Sequence, residues 1–250
     1  MNEKREAMAR IVNKQAYAAR RDAILDVAQR AIETKGYEQM AIADLLSELQ
    51  ISSGAFYHYF DSKPALLSAL IQRIGDQLEQ LVLPIIHEPM LGALDKLRRF
   101  FTALDHQKLE HKGLVLSYLR VLYADENAIF RHKMYTARVK RLSPWLEEII
   151  QEGTREGILT TPYPDQAARV IISLLEDLGY ATTDLLLSGE RSPDDLPHLE
   201  RIVEAGADAL ERVLGAPVGS FQRNWREELA PWLAQPSRKK EEHEHQTNYC

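Results

Sequence analysis

Ser52, Ser53, Gly54, Ala55, Tyr57, His58 and Lys63 fall within one short run, Ile51 to Leu66, which reads ISSGAFYHYFDSKPAL. Their types point to nucleic-acid contact. The hydroxyls of Ser52 and Tyr57 and the ammonium of Lys63 suit phosphate oxygens, which position a protein on a duplex. Ser53 and His58 offer hydrogen-bonding groups for base edges, and the Ala55 methyl suits a thymine methyl. Gly54 lets the backbone come close either to DNA or to a neighbouring helix. No Lys or Arg stands between Ser52 and Phe60, so the run lacks the bidentate arginine that reads guanine. His58 stands between base contact and plain surface residue. Phe56 and Phe60 are expected to pack into a small helical core.

These side chains need elements to position them. Ile24, Val27, Ala28 and Ala31 recur at helical spacing, and Lys35-Gly36 supplies a stop. Ile42, Leu45, Leu46 and Leu49 predict a short helix over 42–49, and Ser52 caps another over about 53–59. Asp61-Ser62-Lys63-Pro64 opens a fourth helix, expected to run through Leu81 and to be broken by Pro84 and Pro89. Two short helices joined by a tight link form a helix-turn-helix, in which one helix enters the major groove and the other braces it. Further helices are expected over about 90–110, 113–123, 126–156, 165–188, 194–214 and 222–233. Pro144 is expected to kink or split the third of these. Loop signals stand at Thr160–Pro164, Ser188-Gly189 and Ser192-Pro193. No segment alternates with period two, so the expected class is all-α. The polar tail from Ser237 to Cys250 is expected to be disordered.

The chain of 250 residues has net charge −6, unevenly spread. Residues 1–21 carry six basic and two acidic side chains, a net +4, among them Lys14, Arg20 and Arg21. This basic arm beside the motif is expected to add DNA affinity, the alternative being a solvated helix face. Cys250 is the one cysteine, so an intrachain disulfide is excluded. No apolar run approaches the roughly 18 residues of a membrane span. A cytoplasmic protein without membrane contact is expected.

The span from about Arg21 to Leu70 resembles the DNA-binding domain of the TetR (tetracycline-repressor) family. The matching residues are Gly36-Tyr37, Asp44-Leu45, Ile51-Ser52-Ser53-Gly54, Phe56-Tyr57-His58-Tyr59-Phe60, and Ser62-Lys63 followed by Leu66. Two departures stand out. Met40 and Ala41 replace the family's usual Thr or Ser, removing a hydroxyl that caps the second helix, and Leu49-Gln50 replaces its Ala-Gly at the turn. The resemblance implies a basic arm (1–20), a helix-turn-helix domain (21–68), a helical effector-binding and dimerisation domain (69–235) and a tail (236–250).

It also implies a small-molecule pocket and a homodimer built by the last two long helices. Pocket candidates are polar or aromatic residues on largely apolar helices: Ser117, Tyr118, Arg120, Tyr123, Tyr135, Trp145, Glu176 and Tyr180. Arg120 would meet an anionic effector or pair with a surface carboxylate. Dimer candidates are the stripe of Leu174, Leu178 and Leu185, with Ile202 and the small residues Ala205, Gly206 and Ala209. Their alternative is an ordinary packing face within one chain. No phosphate loop, HExxH, paired CxxC or nucleophile elbow occurs. Neither His106-Glu110-His111 nor His243-His245 has good metal spacing, so no metal, no cofactor and no catalysis are expected. The expected partners are a double-stranded operator, a small-molecule effector and a second copy of the chain. The runner-up reading is a helical dimeric scaffold that has lost DNA reading, and behind it a helical enzyme.

Overall fold

The computed structural model describes residues 2–124, 127–187 and 192–234, with side chains from Lys14 onward. The tail expected to be disordered and the Ser188-Gly189 loop lie outside the described residues. Among those described there are ten helices and no strand: α1 (Asn2–Lys35), α2 (Ile42–Leu49), α3 (Ser53–Tyr57), α4 (Lys63–Ile86), α5 (Ala93–Glu110), α6 (Lys112–Leu122), α7 (Ala128–Glu156), α8 (Pro164–Leu187), α9 (Asp195–Leu214) and α10 (Trp225–Leu233).

Two apolar cores form. In the head, Ile24, Leu25, Ala28 and Ile32 of α1 meet Leu45 of α2, Phe56 of α3, and Leu66, Leu67 and Leu70 of α4. In the body, Val82 and Ile86 of α4 join Leu97 and Phe100 of α5, Leu146, Ile149 and Ile150 of α7, Ile171 and Ile172 of α8, and Leu210 and Leu214 of α9. Helix α4 therefore belongs to both. Helix α6 also links head and body, by a less obvious route. Its Leu114, Tyr118 and Leu122 are buried in the head core, while the helix also packs against α8.

Three expectations need correction. First, the basic arm is not a separate element. No glycine or proline interrupts residues 2–35, and α1 runs unbroken through the expected boundary at residue 20. Second, Pro84 does not end α4, which continues to Ile86. Third, Pro144 does not split α7, which continues to Glu156. An interior proline costs a helix about 3 kcal/mol. Here the turns around each proline bury large apolar side chains, Val82 and Ile86 in one case, Leu142 and Leu146 in the other. At about 1.5–3 kcal/mol per fully buried side chain, that burial offsets the loss.

Beyond α9 the chain is pinned rather than loose. The buried Glu211 carboxylate accepts hydrogen bonds from the backbone N–H groups of Gly219 and Phe221. Phe221 enters the body core, edge-on to Phe101. Helix α10 then packs against α9.

Candidate nucleic-acid interface and an interior polar cluster

Ala41 stands just before α2, with an extended backbone and a side chain that makes no cap. The hydroxyl missing from the sequence is thus missing from the structure. At the other end of α2, Gln50 takes the left-handed conformation (φ 51°, ψ 47°), the one non-glycine residue at positive φ among the described residues. The turn keeps its left-handed corner without a glycine, at about 1–2 kcal/mol of backbone strain. The Gln50 N–H donates to the Ser47 carbonyl, and the Ile51 N–H reaches the Leu46 carbonyl at 3.1 Å.

Helix α3 is shorter than expected, ending at Tyr57 with His58 as its cap. Ser52 caps its start: the Ser52 hydroxyl oxygen accepts from the Ala55 N–H at 3.2 Å, which leaves the hydroxyl proton free to donate outward. Phe56 is fully buried and Phe60 nearly so, which fixes the roll of the helix. That roll exposes Ser52, Ser53, Gly54, Tyr57 and His58 and leaves Ala55 half-buried. A Cβ built on Gly54 would find only Ser52 Oγ, 4.0 Å away. Nothing in α2 requires glycine there, so of its two readings the close approach of an outside partner is favoured.

Cations flank this surface. Lys63, at the start of α4, donates to the Glu38 carbonyl at 3.3 Å and lies 4.4 Å from the centre of the Tyr37 ring. Burial pushes the Tyr37 hydroxyl up to about 12, so the ring faces the ammonium as a neutral phenol. Arg20 and Arg21, expected as free arm contacts, brace the motif. Arg20 donates to the Leu49 carbonyl at the end of α2, and the Arg21 guanidinium lies 5.1 Å from the Phe60 ring centre. Lys14 is exposed. Sequence reasoning missed Tyr17, whose ring meets His58 edge-on at 5.7 Å and Tyr59 at 4.6 Å. The signal was present: Tyr17, Arg21, Ile24 and Ala28 share one helical stripe.

The pocket candidates divide. Tyr118, Tyr123, Glu176 and Tyr180 come together, joined by Arg138 and Arg131, which sequence reasoning missed. Arg138 forms an ion pair with Glu176. Arg131 stands 5.8 Å over the Tyr123 ring, and Tyr123 meets Tyr180 edge-on at 5.3 Å. Tyr118 is 5% exposed, and its hydroxyl is buried near Arg138 with no acceptor for its proton among the described residues. An unsatisfied buried donor costs about 1–3 kcal/mol. Burial pushes the Tyr118 hydroxyl up to about 12; Arg138 works against that rise and Glu176 adds to it, which places both charges within its reach. Tyr123 is likewise raised to about 12 by burial and then by Glu176.

The other candidates lie elsewhere. Tyr135 bonds to Ser173 at 2.7 Å between α7 and α8. Trp145 packs on the body core. The buried Ser117 hydroxyl donates back to the Gly113 carbonyl of its own helix. Arg120 is exposed. His111 turns toward α1, 3.9 Å from Glu33. A groove of about 490 Å³ runs beside the head, lined by Arg21, Tyr59, Ser62, Ser68, Gln72 and Phe130.

The dimer candidates also divide. Leu174 packs on the body core. Leu178 fills the space over Gly206 so closely that a Cβ there would collide with it. Leu174, Leu178 and Gly206 therefore join α8 to α9 within one chain, and small residues permit that approach as readily as one between subunits. Ala205 is exposed, while Ile202, Ala209 and Leu185 are half-buried. The outward side of these helices carries Val170, Tyr180, Arg201 and Glu204.

The chain is similar to known proteins. The chain is 20% identical over 139 residues to the HTH-type transcriptional repressor DhaR of Mycobacterium sp. (strain GP1), covering 56% of this chain and 70% of that one. It is 23% identical over 167 residues to the HTH-type transcriptional repressor NemR of Escherichia coli (strain K12), covering 65% and 83%. A transcriptional regulator from Cytophaga hutchinsonii ATCC 33406 superposes with a TM-score of 0.60 at 16% identity, covering 77% of this chain and 97% of that one. Residues 116–186, which hold most of the interior cluster, match the family described as tetracyclin repressor-like, C-terminal domain. Residues 24–70, which hold the capped and aromatic-anchored helices of the head, match the bacterial regulatory proteins of the tetR family, and to that family this chain belongs.

Proposed function

We propose that the chain is a one-component transcriptional repressor, which binds a near-palindromic operator as a homodimer and leaves it when a small molecule enters the body. The observation that carries the DNA contact is the exposed face of α3. It presents an open Gly54, the free proton of the Ser52 hydroxyl and the exposed Tyr57 and His58. Beside it, Lys63 is held over Tyr37 where the first N–H groups of α4 favour an anion. Tyr57, Ser52 and Lys63 position phosphates. His58, Ser53 and Ala55 read bases. Arg20 and Arg21 stiffen the motif, and Lys14 adds a cation to its flank.

Two heads in successive major grooves lie about 34–36 Å apart, which fixes the half-site spacing. The effector acts by preferring a form in which the heads do not match that spacing. A mobility-shift titration against the DNA upstream of the chain's own coding sequence tests this reading. Wild type is expected to give a salt-sensitive band that resists non-specific competitor. Gly54→Ala is expected to weaken that band by about tenfold, from one lost close approach, while the fold is as stable as before, because the free protein has room for the methyl. Equal affinity in wild type and Gly54→Ala would place the DNA elsewhere.

A further inference from the structure

The cluster around Tyr118 carries more chemistry than a generic pocket. Its aromatic rings form two edge-on pairs, Tyr118 with Phe130 and Tyr123 with the exposed Tyr180. Edge-on walls of this kind accept a planar ring, because rings pack best by offset or edge contact. Its charges are unequal among the described residues: Arg131 and Arg138 stand against Glu176. Its central donor is idle, since the Tyr118 hydroxyl is buried and meets no acceptor among the described residues. A donor left without a partner in the interior is explained when something absent from the free protein supplies the acceptor.

We infer that the effector is a small aromatic acid, whose anionic oxygen accepts from the Tyr118 hydroxyl and takes over Arg138 from Glu176 while its ring lies among the tyrosines. This rests on the effector-released reading above and names the class of effector. A cationic ligand would use the same aromatic walls but would face two arginines. A neutral amide fills the space and pairs with Tyr118, yet gains nothing from the excess of positive charge. Glu176 is then a built-in competitor. It neutralises Arg138 in the empty site and must yield it on binding.

Calorimetric titration of the full chain tests this with benzoate, salicylate and 1-naphthoate, against benzamide and benzyltrimethylammonium as neutral and cationic controls. At least one acid is expected to bind about tenfold or more tightly than benzamide, the worth of one charge-assisted hydrogen bond. Tyr118→Phe should lower that affinity by a similar factor without loss of thermal stability, because it removes an unsatisfied hydroxyl. Glu176→Gln should tighten acid binding, because it removes the competitor. A merely structural Tyr118 would leave the affinity of Tyr118→Phe unchanged, and a structural Glu176 would give weaker binding in Glu176→Gln. Either result overturns the inference, as does preference for the cation or failure of all three acids to bind. Operator binding without ligand is measured alongside. An intact shift with no acid bound sinks this inference alone, whereas acids that bind without releasing DNA sink the effector-released reading.

Discussion

The head and the body are built from the same materials and differ in how many ways those materials can be satisfied. In the head each key residue has one short-range role. Ser52 caps α3, Phe56 fixes its roll and Ser62 caps α4. In the body, a leucine stripe facing small residues on the next helix suits pairing within one chain or between two. The structure spends Leu178 and Gly206 on the first. Local chemistry specifies the head, and long-range pairing specifies the body.

The most forceful way to break that contrast is Gly206→Ala. The added methyl collides with Leu178, and overpacking of this kind costs about 1–3 kcal/mol. Chemical denaturation should show a less stable chain at every concentration. A dimer that falls apart while the subunit keeps its stability would return Gly206 to the subunit interface.

A middle-sized effect is expected at Tyr17. Aromatic pairs are worth about 0.5–1.5 kcal/mol, so Tyr17→Ala should weaken operator binding about two- to tenfold by releasing His58 and Tyr59. Tyr17→Phe, which keeps the ring, should restore it. If the phenylalanine variant is as weak as the alanine one, the Tyr17 hydroxyl itself touches DNA, and the stripe on α1 is a contact surface rather than a brace.

The smallest effect sits at the turn. Gln50→Gly relieves left-handed strain but loosens the unfolded chain, and the balance is a gain of up to about 1 kcal/mol. Thermal melting of the pair measures it. A loss instead would mean that the glutamine side chain, not the corner, holds the turn.

The head was legible in the sequence because caps, stops and an aromatic anchor act within a few residues. The bounds of α2 and the Ser52 cap were readable as they stand, and so was the burial of Phe56 and Phe60. The folding back of Arg20 and Arg21 onto the motif was not readable, for the opposite reason. Their partners, the Leu49 carbonyl and the Phe60 ring, are remote in sequence, and nothing in a basic run says which cations fold back. Pro84 and Pro144 misled because local propensity yields to burial on the flanking turns. In the interior cluster, Tyr118, Tyr123, Glu176 and Tyr180 were found by asking for polar groups on apolar helices. Arg138 was not, since α7 is rich in cations and only the fold shows which of them reaches Glu176.

The burial of Leu114, Tyr118 and Leu122 among head residues bears on how such a molecule is inherited and rebuilt. A fragment cut after the fourth helix begins would carry the whole recognition surface but leave an uncovered apolar face where α6 had lain. The head is therefore no interchangeable cassette. Grafting it onto another body requires bringing α6 along or redesigning the seam, and a lineage that changes its ligand by altering α6 must keep three positions fixed for the sake of the DNA-reading end.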